Sequence, residues 1–138
     1  MLTSKELNKY KDKDLATLLK TATRWCHKYI RKRDEGKGCV SCDSPTFEDA
    51  GHFWSSGHFP ATRYNEQNIH GQCSKCNRFL HGNGNEYRRR IASRITEQGL
   101  KDLDNTVDHY KRIGFKWDKI SLIETIYYYK KKFKEIDY

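Results

Sequence analysis

The sequence has no run of 18 apolar residues, which excludes a membrane-spanning helix. Its first residues, MLTSKELNKYKDKD, have no apolar stretch of the kind a signal peptide needs. That absence points to an intracellular protein, where thiols stay reduced. Hydrophobic residues are scarce, at 36%, a thin supply for three or more helices and a long polar middle, so a metal staple would make up the shortfall. Proline is limited to Pro45 and Pro60, and no repeat, linker or low-complexity segment divides the chain, so residues 1–138 read as one domain. Acidic residues are in deficit, 18 against 27 Lys and Arg. The resulting charge of +9 suits a polyanionic partner, most often nucleic acid.

Against these shortages stand five cysteines. Four form two Cys-x-x-Cys pairs, Cys39/Cys42 and Cys73/Cys76, with 30 residues between them. A two-residue spacer lets both sulfurs of a pair reach one ion, and four thiolates complete the tetrahedral shell of zinc. A shell closed in this way has no open position, so the zinc would be structural. Cys26 falls on an apolar stripe and reads as a small core residue.

The stripe belongs to a helix predicted from about Asp14 to Asp34. Leu15, Leu18, Leu19, Ala22, Trp25, Cys26, Tyr29 and Ile30 recur at three- and four-residue steps, and Gly36 and Gly38 follow. Residues 1–13 read as polar and frayed. The expected organisation is an N-terminal helical segment (1–38), a zinc-stapled core (39–84) and basic C-terminal helices (85–138). Short strands are predicted near Ala50–Trp54 and Asn68–Gln72. A helical turn from Lys75 would put Asn77 and His81 on one face. Further helices are predicted at about Asn85–Gln98, stopped by Gly99, at Leu100–Arg112, and from Asp118. The fold class is α+β, mainly helical around the stapled core.

A plain zinc ribbon needs nothing between its knuckles, yet this one holds Asp49, His52, His58, Asn68 and His70, with Asn77 directly after Cys76 and His81 beyond. An acidic oxygen, an amide oxygen and an imidazole suit a divalent ion that keeps open positions, such as magnesium or manganese. A nearby unligated histidine could deprotonate an attacking water. His58 and His70 also read as ordinary polar surface. Arg63, Arg78, Arg88, Arg89, Arg90 and Arg94 cluster in sequence around this region, and Lys130 and Lys131 near the C-terminus add to the basic surface. Phosphate contacts from such residues would hold DNA by shape rather than sequence. The Tyr127–Tyr129 run reads as core packing or as a stacking surface for bases.

A cysteine pair, a strand bearing a histidine, and a second pair followed at once by Asn resemble the HNH (ββα-metal) nucleases, within them the endonuclease VII type. The runs DAGHF, SGHFPATRYNEQN, QCSKCNRFL and YRRRI, with YIRKRD before the first knuckle, resemble the phage NinG (Rap) family. The resemblance covers roughly residues 25 to 135. It implies a recombination nuclease acting on branched DNA such as D-loops and Holliday junctions, in the cytoplasm of an infected bacterial host. By position it makes His52 the general base, Asn77 a metal ligand and Asn68 the residue that pins the ββ turn and orients the base. Arg63 would be a transition-state clamp or phosphate anchor. Many HNH enzymes carry an acidic ligand just before the base histidine, where this chain has Gly51. Asp49, His81 and His58 remain candidates for that ligand, Asp49 through a bulge at Gly51. Paired cuts would require two sites and so favour a two-fold homodimer.

Overall fold

The computed structural model describes residues 1–136; residues 137 and 138 of the expected C-terminal segment lie outside the described residues. The chain forms α1 (Ser4–Tyr10), α2 (Leu15–Arg33), β1 (Asp49–His52), β2 (Ile69–Gln72), α3 (Gly84–Ile113) and α4 (Lys119–Ile136). Two 3-10 turns, Pro60–Thr62 and Glu66–Asn68, lie between the strands, and a π-helical turn, Lys75–Phe79, precedes α3. The fold is mainly helical with one two-stranded sheet.

The N-terminus is not frayed. Thr3 caps α1 by accepting from the Glu6 amide, while the Glu6 carboxylate accepts from the Thr3 amide. This reciprocal box satisfies two orphan donors and lets a seven-residue helix persist. Tyr10 then ties α1 into the core.

α2 follows its stripe. Asp14 accepts from Thr17 N at 2.8 Å, and Leu18, Ala22, Cys26, Tyr29 and Ile30 are buried. They face Leu122, Ile123, Ile126 and Tyr129 of α4, so the two ends of the chain close one core. Each fully buried Leu or Ile there contributes about 1.5–3 kcal/mol. Ile120, near the start of the helix, is exposed. Tyr129 is buried and donates to the Tyr64 carbonyl, whereas Tyr128 faces out.

α3 spans both helices predicted for 85–112, and its break falls at Thr96, not Gly99. Thr96 has φ 73° and ψ 163°, and its hydroxyl accepts from Gly99 N at 3.1 Å. The side chain therefore caps the second half of the helix, and that cap offsets an unfavourable backbone. Tyr87, Ile91 and Leu103 form a second core with Val40 of the first knuckle.

β1 and β2 pair antiparallel in regular register, Asp49 opposite Gln72 and His52 opposite Ile69. The bulge expected at Gly51 is absent. Gly51 is needed for a different reason: a Cβ there would stand 2.0 Å from Gln72 Oε1. Tyr87 OH donates to Gly51 O at 2.7 Å and fastens α3 to the sheet.

Candidate functional site

The two cysteine pairs meet. The ligand atoms of Cys39, Cys42, Cys73 and Cys76 all lie within 4.8 Å of one another, so this cluster could hold a metal ion such as zinc. Zinc–sulfur bonds of about 2.3 Å place tetrahedral sulfurs roughly 3.8 Å apart. Cys42 and Cys73 Sγ stand at 3.7 Å. Backbone N–H groups point at the sulfurs: Ser41 and Cys73 donate to Cys39 Sγ at 3.4 and 3.3 Å, and Ser44 donates to Cys42 Sγ at 3.4 Å. Such donors stabilise thiolates, the state a metal requires.

Beside this cluster, β1 and the π-helical turn bring Asp49 and Asn77 together, with Asn77 Nδ2 3.1 Å from Asp49 Oδ2. Arg78 also reaches Asp49, through Nε at 3.2 Å and Nη2 at 3.0 Å. His81 does not share a helix face with Asn77. The turn ends at Phe79, and His81 is exposed with φ 50°. Among the described residues, the cysteines are the only set of three or more His, Cys, Asp or Glu ligand atoms in mutual reach. Asp49 and Asn77 thus stand as a two-residue pair. That is a donor set magnesium accepts, since it keeps several waters and takes substrate phosphate for the rest of its shell. Rotating the Asn77 amide would turn its oxygen toward Asp49, an arrangement a cation favours.

His52 closes β1. Its Nε2 is 2.9 Å from the Arg63 carbonyl, and a carbonyl only accepts, so Nε2 carries the proton and Nδ1 keeps the lone pair. Burial lowers the pKa of His52 and the Arg63 charge adds to this, against the opposing bond to Arg63 O. Arg63 contributes its carbonyl to His52, and its guanidinium reaches Thr23 Oγ1 at 3.5 Å. Asn68 is fully buried. Its Oδ1 accepts from Trp54 N at 2.8 Å, and Nδ2 donates to Trp54 O and Thr62 O at 2.9 and 3.0 Å. One side chain so ties the end of β1 and the 3-10 turn to the start of β2.

His27 is the residue that sequence reasoning passed over. Its ring packs on His52 with centroids 5.6 Å apart. Its Nε2 is buried without a hydrogen-bond partner. Burial, then repulsion from His52, Arg31 and Arg63, pushes its pKa down to about 4, while the Asp49 charge pulls it up. One feature of the sequence could have flagged it: His27 lies next to Cys26 on the edge of the apolar stripe.

His70 is not polar surface. It is 3% exposed; Nε2 donates to Gln67 O at 2.9 Å, and Nδ1 accepts from Arg33 Nη2 at 3.1 Å. Arg33 also grips the fully buried Asp34, which accepts from Gly71 N at 2.8 Å. Burial raises the Asp34 pKa, but the bonds and charge of Arg33 and the Gly71 N–H outweigh it, so the carboxylate stays ionised. His58 is exposed and bonds Ser55 at 3.1 Å, outside the Asp49–Asn77 pair.

The basic residues divide. Arg88 holds Asp104 through two bonds and stacks over Phe53 at 4.7 Å. Arg90 pairs with Asp43 at 2.9 Å, and Arg89 with Glu86 at 3.5 Å. Arg94 is mostly buried, donating to Lys37 O and Gly38 O. Together with the first knuckle, Arg89, Arg90 and Arg94 line a groove of about 610 Å³. Lys130 is committed to the core rim, donating to Tyr10 OH at 2.7 Å beneath a roof of aromatic rings, while Lys131 is exposed.

This is a basic, mainly helical domain with a four-cysteine cluster and an Asp49–Asn77 pair beside it. The model of the family described as "Bacteriophage Lambda NinG protein" matches residues 3–138, and the chain belongs to that family. It is 34% identical over 95 residues to Protein ninG of Escherichia phage lambda, covering 67% of this chain and 47% of that protein. To Protein ninG of Salmonella phage P22 it is 33% identical over 116 residues, 83% of this chain and 56% of the relative. The chain therefore spans about half the length of the curated relatives it matches. No solved structure matches it. No helix among the described residues is long and apolar enough to cross a membrane.

Proposed function

We propose that this protein is a metal-dependent, structure-selective DNA endonuclease of the ββα-metal (HNH) kind, cutting branched recombination intermediates such as D-loops and Holliday junctions. The observations that carry the reading are two. Asp49 and Asn77 pair at 3.1 Å, and His52, three residues along the same strand, is held in the tautomer with a free Nδ1. Asp49 and Asn77 would hold magnesium or manganese, an ion that would supply charge stabilisation to the phosphate and leaving oxygen. His52 Nδ1 takes the proton from the attacking water, a role worth typically 10²–10⁴-fold. The Arg63 carbonyl keeps His52 in the required tautomer, and Asn68 keeps the supporting turn in place. The four cysteines hold zinc and fix the π-helical turn, and with it Asn77. The groove beside Arg89 and Arg90 receives backbone phosphates.

A second reading has its own support. Arg78 occupies Asp49 with two bonds, so a protein that binds branched DNA without cutting would need no further change. Incubating purified protein with branched and linear duplexes, with and without added magnesium or manganese, separates the two. Nicks near the branch that require the added ion support the nuclease. Binding without nicks supports the binding module. In the nuclease, His52→Ala should lower cutting at least 10²-fold while metal content and circular dichroism stay as in the parent; full activity in that variant removes His52 from the mechanism.

A further inference from the structure

Phe79 is 77% exposed and the adjacent Leu80 45% exposed, in a chain poor in apolar residues. Lone exposed apolar side chains are ordinary. These two differ in how they are presented. Ile120 and Tyr128 also face out, but from regular turns of α4. Phe79 and Leu80 close a π-helical turn in which Leu80 N donates to Lys75 O at 2.9 Å, and Gly82 N then reaches back to Cys76 O at 2.8 Å. The following His81, Gly82 and Asn83 all have positive φ, two of them non-glycine. π-helical turns and left-handed residues cluster at functional sites because the surroundings must hold them in place. Here Cys76 sits in the metal-capable cluster, and buried Gln72 donates to Gly82 O at 2.8 Å. The tip is braced from both sides with its apolar side chains pointing out.

Its neighbours indicate the occupant. From Cys73 to Asn85 the chain has no acidic residue but carries Lys75, Arg78 and His81, all exposed. A membrane or protein partner could meet apolar residues anywhere on the surface. A polyanion with flat apolar faces fits an exposed aromatic ring on a segment that carries exposed Lys75 and His81, with Arg78 held against Asp49. The tip also follows Asn77 and Arg78 directly, both bonded to Asp49.

We propose that Phe79 and Leu80 form an apolar wedge that stacks on an unpaired base of branched DNA, beside the Asp49–Asn77 pair. The proposal rests on the reading that this chain engages DNA, and it adds how a branch is told from plain duplex. A ring inserted at a base step is easiest where bases are already unstacked, so a branch is favoured over intact duplex.

The test uses the full chain with no chelator and no added magnesium or manganese, so that no cutting is needed and the cysteine cluster keeps its ion. Branched DNA carrying 2-aminopurine at the branch, and the same probe inside a linear duplex, are titrated with the parent, Phe79→Ala and Phe79→Trp. The parent should change the fluorescence at the branch and leave the linear duplex little altered. Phe79→Ala should lose that change and bind the branch roughly tenfold more weakly, with circular dichroism unaltered. Phe79→Trp should restore both. A parent that binds the branch without a fluorescence change, or a Phe79→Ala variant that matches the parent, overturns the wedge and leaves the nuclease reading standing. A base response in a protein that never cuts with metal supports the wedge and removes the nuclease. Equal, Phe79-dependent binding to anionic lipid vesicles, with no base response, assigns the tip to a membrane surface and overturns the proposal.

Discussion

β2 joins two buried polar clusters that are completed in opposite ways. At its start, Arg33, Asp34 and His70 satisfy one another and the backbone, with Gly71 N and Gln67 O as partners. Just past its end, Cys39, Cys42, Cys73 and Cys76 gather four acceptors around a common centre. The first cluster is finished by protein atoms alone. The second could be completed by a cation, whose charge would offset the repulsion of four thiolates gathered at one point. The contrast shows where the chain depends on its surroundings and where it does not.

Removing the ion should break the second cluster most severely. Structural zinc is worth on the order of 10–16 kcal/mol in small fingers. Chelation, or Cys73→Ser, is expected to unfold residues 39–84 while the α2–α4 core keeps much of its helical signal. Circular dichroism and melting measured alongside metal content will show this, and an unchanged melt in metal-free protein would refute it. The first cluster should ignore chelators but fail when a partner is lost. Asp34→Asn leaves Arg33 buried without its counter-charge and should cost about 3–5 kcal/mol in urea denaturation.

Acid should separate the clusters by a different route. Burial, reinforced by the Arg33 charge, pushes the His70 pKa from 6.5 down to about 4. As pH falls, the unfolded state binds the proton first. The stability due to neutral His70 is therefore complete above about 6.5 and is lost progressively as pH falls to about 4, by up to about 3 kcal/mol. A His70→Asn variant should show a flatter pH dependence across that window; an identical slope would mean that other groups carry it. The smallest effect is expected away from both clusters. Thr96→Gly removes the strained backbone and loses only a few tenths of a kcal/mol of capping, so it should raise stability by up to about 1 kcal/mol. A lower urea midpoint would show that the cap outweighs the strain.

What the sequence made legible follows the same division. The cysteine pairs announce themselves by spacing, and α2 by its stripe, because each signal is local. α1 was missed although Thr3 and Glu6 have the spacing of a capping box; polarity was read as fraying. The Arg33–Asp34–His70 cluster was not legible, since His70 lies some 36 residues beyond the adjacent Arg33 and Asp34 and each alone resembles surface. Asp49 and His52 were found as a local run, but Asp49 meeting Asn77 depends on pairing across 28 residues. His81 illustrates the opposite error: the helical turn from Lys75 is expected to carry as far as His81, but it ends at Phe79.

The packing of α2 on α4 has a consequence for the order in which the protein is made. Residues 15–33 wait for residues 119–136 before their apolar stripe is covered. Cys76 leaves the ribosome 43 residues before Lys119 does. At about 5–20 residues per second, that is a lead of roughly two to nine seconds. All four cysteines are therefore made before the partner of the first helix, and an ion supplied during synthesis would meet them while that apolar stripe is still uncovered.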